Sequence, residues 1–296
     1  MASVRGYIIN LPEAEERRQR LQRHLHQLGI ASHYQWFTAQ RGARSSDERR
    51  GLSPGEDGLW RSVLLLLEQA ELGSASYLHI VEDDAELSGA FWQWLCALDA
   101  QAPLEQILFT DMYAGASVYP GLLKALQRLR QQKGQGWLGS KAYTGCTTSW
   151  LIHRDHLAQV RQVLLKAYSQ DEARIPIDNF LRRLLQSGQL RARVSLPFLT
   201  SIHLGEQRGS SIQLEETRAI QCTRMLGALL RRRLSVLHTA DDLKDLGPLL
   251  EALLGADATD EWMAHQLLPA LQQRKALRYR LDPRLQHEAG NPQASG

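Results

Sequence analysis

Three consecutive carboxylates, Glu82, Asp83 and Asp84, follow an apolar run at 77–81. A short apolar run of this kind reads as a buried strand, and ligands of open α/β sheets sit beyond the carboxyl ends of strands. Acids gathered there form a strongly negative spot. Hard divalent cations such as Mn2+ or Mg2+ take oxygen ligands and bridge protein carboxylates to phosphates, where they neutralise a diphosphate leaving group. The Glu82-x-Asp84 spacing places two of the acids on one side of an extended segment. The other reading is structural: acids after a strand often cap the next helix, and Asp84 or Glu86 suits that role.

The elements that must position these acids are legible in outline. Residues 4–9 read as a buried strand that soon meets Pro12. Residues 13–28 read as a helix with Leu21, Leu25 and Leu28 on one face, ended by Gly29. A second strand is expected at 34–38. Ser53, Pro54 and Glu56 make a helix start with a capping box, and that helix is expected to reach about residue 72. Further on, the pattern predicts a helix at 91–98, a strand at 106–110 ending at Asp111, a helix at 122–129, a loop at 134–139, and a strand at 147–152. A helix from Asp155, a helix from Pro176 to about 185, and one or two strands at 191–199 complete the series. Strands and helices alternate, which predicts an α/β sandwich with a largely parallel sheet. From about 215 the strand signals stop, so the domain reading is 1–214 for the α/β body, 215–288 for a helical C-terminal subdomain and 289–296 for a polar tail.

Composition bounds the function classes. The chain has 296 residues, 43% of them hydrophobic, enough for a large core and an appendage. The 35 basic and 32 acidic residues nearly cancel to a net charge of +3, so nothing global demands nucleic acid. Cys96, Cys146 and Cys222 are widely spaced and suggest neither a zinc site nor a disulfide framework. No secretory signal or bilayer-length apolar run is evident. A cytoplasmic location follows as the expectation, with contact at the inner face of the cell membrane through the basic stretch near Arg231 as a further option. The alternative for that stretch is the solvated face of a helix packed on the α/β body.

An ordered set of weak motifs gives the acids a context. Tyr7-Ile8-Ile9-Asn10-Leu11, Glu16-Arg17-Arg18, Leu28-Gly29-Ile30, the Ser53-Pro54-Gly55-Glu56 helix start and the acidic triplet occur in that order. Together they resemble glycosyltransferase family 25, which includes bacterial lipooligosaccharide galactosyltransferases and relatives that glycosylate collagen. The resemblance spans roughly 3–212. More loosely, Tyr143 to Ile152 is similar to the family's small-residue strand, Pro176-Ile177-Asp178 to its later acidic site, and Ser210-Ser211-Ile212 to its terminal Ser-rich element. The resemblance implies a GT-A-like fold, a UDP-sugar donor (UDP-galactose above all), a glycan or glycolipid acceptor such as lipopolysaccharide, and inversion at the anomeric carbon. One departure stands out: the family has Ser-His where this chain has Ser62-Val63.

Under that resemblance, Glu82 and Asp84 are the expected metal ligands, with His203 as a third. Asn10, Arg17 and Asp83 are expected at the donor, Arg17 through a fork suited to phosphate. Arg18 reads as a solvated neighbour, and Glu56 as a capping residue first. Asp178 is the expected general base and Asp111 the runner-up. Gly145, Thr147 and Thr148 suit either close approach of a sugar or tight strand packing. The competing functions are a non-catalytic nucleotide-sugar or glycan-binding module on the same fold, which Val63 keeps in view, and nucleotidyl transfer on a similar scaffold.

Overall fold

The computed structural model describes residues 3–42, 52–98, 103–114, 118–131, 136–170, 175–203 and 227–237, the last without 229 and 233. Among them, β1 (Val4–Asn10), β2 (Tyr34–Thr38) and β3 (Tyr77–Glu82) form one half of a seven-stranded sheet. The other half holds β5 (Ile107–Phe109), β6 (Gly136–Gly139), β7 (Ser149–His153) and β8 (Ala192–Leu196). The order is β2-β1-β3-β7-β5-β8-β6. Within it β2, β1 and β3 run parallel, as do β5 and β8, while β7 and β6 are antiparallel to their neighbours. A small second sheet pairs β4 (Ala85–Leu87) with β9 (Thr200–Ile202).

The sheet's period-two alternation divides the core. On one face, Ile8 and Val81 join Leu21 and Leu25 of α1 (Glu15–Gln27) and Phe91 and Leu95 of α3 (Gly89–Ala97). On the other, Tyr7, Ile9 and Ile80 join Trp60 and Val63 of α2 (Pro54–Gln69) and Leu126 of α4 (Tyr119–Gln131). Val160 and Leu164 of α5 (Arg154–Ser169) and Leu181 of α6 (Ile177–Ser187) complete that layer. The architecture is thus an α/β sandwich on a mostly parallel mixed sheet. β3 is buried from Tyr77 to Val81, as a strand covered on both faces must be, and it carries Glu82 at its carboxyl end.

Several expectations need adjustment. Residues 136–139 form β6 rather than a loop. The glycines at 136 and 139 read as punctuation, but a Cβ on Gly136 would stand 2.7 Å from Leu129, so its smallness serves helix-on-strand packing. β7 is antiparallel, which an apolar run cannot reveal because it reports burial and not direction. α1 begins at Glu15, after a turn closed by the Ala14 amide donating to the Leu11 carbonyl at 2.9 Å. The capping box is present: the Ser53 amide donates to Glu56 Oε2 at 2.7 Å and the Glu56 amide to Ser53 Oγ at 3.3 Å.

The expected helical subdomain at 215–288 and the tail at 289–296 lie outside the described residues, apart from 227–237. In that segment Leu230 and Leu234 are buried in the main core of the α/β body. No helix among the described residues is long and apolar enough to cross a membrane.

Candidate functional site

The C-terminal ends of β1 and β3 lie side by side, with Ile9 paired to Glu82 in register. Asn10, one residue beyond, is buried and donates from Nδ2 to Asp83 Oδ2 at 2.8 Å. Arg17 reaches Asp83 Oδ1 at 3.3 Å, and Arg20 donates to the Asp83 carbonyl at 2.7 Å. Asn10, Arg17 and Asp83 are therefore brought together in one locus, and they are engaged with one another. Asp83 works as a strut that ties the start of α1 to the end of β3. Arg20 was not singled out from the sequence; its i,i+3 spacing from Arg17 puts both on one helix face, the signal that would have found it. Arg18 instead lies over the Trp36 ring at 5.0 Å.

On the other side of Asp83, Glu82 accepts from Thr147 Oγ1 at 2.7 Å. The Asp84 carbonyl accepts from the His203 amide at 2.9 Å just after β9. This pairing sets His203 beside Asp84 in the fold although 119 positions separate them in the chain. Glu82 and Asp84 both hold their protons well above the ordinary carboxylate range. Withdrawal from water is the largest cause, followed by the charge of a neighbouring acid: Asp84 acting on Glu82, and Asp83 acting on Asp84. Arg17, Arg231 and Arg20 offset part of the rise at Asp84.

Asp178, in the first turn of α6, also contributes to the charge felt by Glu82. It is tied to the site by a tight turn. Gly145 has φ 130° and Cys146 φ 88°, a conformation that costs a non-glycine residue about 1–3 kcal/mol. In that turn the Cys146 amide donates to Asp178 Oδ2 at 3.2 Å, while the Asn179 amide donates to Oδ1 at 2.7 Å. A Cβ on Gly145 would lie 3.0 Å from Asp178 Oδ2, so glycine is required both for the backbone and for the carboxylate's approach. Thr147 serves the acid cluster directly, through Glu82.

Asp111, the alternative base, is fully buried and pairs with Arg231. Burial raises its pKa, and the Arg231 charge opposes that rise. Arg231 is thus an interior residue, 4% exposed at its side chain, and does not present a charge to a membrane surface. Arg232 pairs with Glu86. Val63 sits in the apolar core at 1% exposure, and the adjacent Ser62 Oγ accepts from the Gln40 amide and donates to the Gly58 carbonyl, both at 2.7 Å. Valine at 63 is what this packing accommodates.

Neither a protein-family model nor a curated protein sequence matches the chain. The site must therefore be read from its own chemistry. Asp84 Oδ1 is buried and has no hydrogen-bond partner among the described residues. A buried carboxylate oxygen left this way is costly, and together with two acids that resist ionisation it suits a divalent cation supplied with a ligand. No three His, Cys, Asp or Glu side chains among the described residues already stand as a ligating cluster, so the donor set is not preassembled. Its residue types fit an oxygen-seeking metal.

Proposed function

We propose that the chain is an inverting glycosyltransferase that moves a sugar, galactose from UDP-galactose first among the candidates, onto a carbohydrate acceptor such as lipopolysaccharide. The observation that carries this reading is the set of three carboxylates at the carboxyl end of a central strand, with Asp178 contributing to the same electrostatic field from α6. The α/β sandwich and the ordered resemblance to glycosyltransferase family 25 support a GT-A-like assignment.

In this reading Glu82 and Asp84, joined by His203, would hold Mn2+ or Mg2+, which would supply neutralisation of the leaving diphosphate. Asn10, Arg17 and Arg20 fix Asp83, and through it they fix the strand end on which the donor is oriented. Asp178 takes the proton of the acceptor hydroxyl as that oxygen attacks the anomeric carbon. Each Asp178 oxygen has two lone pairs and the two backbone bonds take one apiece, so acceptor capacity remains for that proton.

The test is nucleotide release from a panel of nucleotide sugars by the purified chain, with and without Mn2+. The expected result is metal-dependent release, highest with a UDP-hexose. Binding of a donor without turnover would assign the chain as a nucleotide-sugar-binding module, and neither binding nor turnover of any donor would overturn the reading.

A further inference from the structure

Arg231 lies beyond the α/β body that the sequence delimits at 214, yet its guanidinium is inside the acidic site. Its side chain is 4% exposed and its partner Asp111 is 0% exposed. The neighbouring Arg232 pairs with Glu86, two residues after Asp84, which sets this segment beside the acid expected to ligate a cation, and the Arg231 charge offsets part of the rise in the Asp84 pKa. The segment is fixed further by Phe198, which exchanges backbone hydrogen bonds with Leu234 and Val236 at 2.9 and 2.8 Å.

Asp84 Oδ1 and Arg231 Nε are both buried and lack hydrogen-bond partners among the described residues. Native interiors leave few such atoms. A structural ion pair with this much buried charge is expected to satisfy its own oxygens and nitrogens. Unsatisfied groups of both signs in one locus match a ligand that brings anionic oxygens and a cation together. A carboxylate cluster alone repels a diphosphate, and a buried cation beside it offsets that repulsion. The planar guanidinium fork matches phosphate oxygens.

We propose that Arg231 is a diphosphate-binding residue of the acidic site, delivered by segment 227–237, with Asp111 holding its guanidinium in place. The inference rests on the proposed function for its ligand class.

The test titrates the full chain calorimetrically with two probes, Mn2+ alone and inorganic pyrophosphate in the presence of Mn2+. The variants are Arg231→Gln and the pair Asp111→Asn with Arg231→Gln, the second leaving no lone buried charge. Circular dichroism checks the fold. In both variants Mn2+ alone should bind as tightly as in the wild type or more tightly, because a cation near Asp84 has been removed. Pyrophosphate should weaken by about tenfold or more, the scale of a lost charge-assisted hydrogen bond. A purely structural arginine moves both probes together or neither, and that result overturns the proposal, as does a wild-type chain that binds no pyrophosphate. Should neither variant fold, hydrogen exchange on the wild type decides: pyrophosphate must slow amide exchange within 227–237, and unchanged exchange overturns the proposal. Pyrophosphate binding without sugar transfer from any donor removes the functional reading and leaves Arg231 standing. Sugar transfer accompanied by wild-type pyrophosphate affinity in the folded variants does the reverse.

Discussion

Asp178 accepts a backbone N–H at each carboxylate oxygen, so its position is set by the Gly145-Cys146 turn and by the start of α6 rather than by a flexible rotamer. This is the kind of placement a general base needs. Replacing Asp178 with Asn keeps the size of the side chain and removes the proton acceptor, but sets an NH2 group against one of the two backbone N–H donors, so circular dichroism must first show the fold intact. Turnover should fall on the order of a hundredfold to ten-thousandfold, with donor and Mn2+ binding measured by calorimetry nearly intact. Wild-type turnover in that variant would remove Asp178 from the role. At this scale the acids were legible because charge directly after an apolar run is conspicuous. Arg231 was not, since in sequence it opens an Arg231-Arg232-Arg233 run that reads as an exposed basic face. Only docking of the segment against Asp111 turns it inward, and no local pattern encodes that. Arg20 was legible in principle through its helical spacing from Arg17.

Within the elements, β3 carries a feature that the run 77–81 conceals. His79 is fully buried, where its Nδ1 is 3.0 Å from the Tyr34 hydroxyl and its Nε2 is 2.8 Å from Ser149 Oγ. Thr110 Oγ1 continues the chain to Ser149 Oγ at 2.7 Å and meets Thr200 Oγ1 at 2.8 Å. Burial pushes the imidazole pKa down from 6.5 to about 3. As pH falls below 6.5, the unfolded chain binds a proton that the folded chain refuses, so His79 stabilises the fold above that pH and the contribution is lost on the way down to about 3. Glu82 and Asp84, whose pKa values are raised, act with the opposite sign over much of this range, so the His79 contribution is read as the difference between wild type and His79→Gln. By acid denaturation that difference should shift against the wild type as pH falls through the window, by on the order of a few kcal/mol at its lower end, and an identical pH dependence in the two proteins would contradict the assignment. Sequence patterning found β3 because apolar flanks dominate, and it missed the polar chain because those partners come from three other strands and from Thr110 just beyond β5. It also missed β4, three residues that pair with β9 only because the chain returns there. The capping box of α2 was legible for the opposite reason, being local.

At the scale of the whole molecule, the α/β body is not closed by the residues that its sequence signature spans. Leu230 and Leu234 complete its core at 3% and 0% exposure, and Arg231 pairs with Asp111. A chain ending at 214 loses all three. Breaking a buried ion pair costs about 3–5 kcal/mol, and each large-to-small core loss about 2–5 kcal/mol, against a total stability of about 5–15 kcal/mol. The truncated chain should therefore be insoluble or unfolded by circular dichroism; a soluble, fully active one would show that 227–237 is dispensable. The alternation of strands and helices made the sandwich legible, whereas the antiparallel β6 and β7 and the return of 227–237 depend on contacts distant in sequence. Under the proposed function, the fold sets a carboxylate pair at one strand end to hold a cation against a sugar donor. The most direct test compares nucleotide release from UDP-galactose by the wild type and by Asp84→Asn, with Mn2+ and with chelator. The account predicts release by the wild type that requires Mn2+, and a folded Asp84→Asn variant that has lost it; release undiminished by chelator or by the substitution would contradict it.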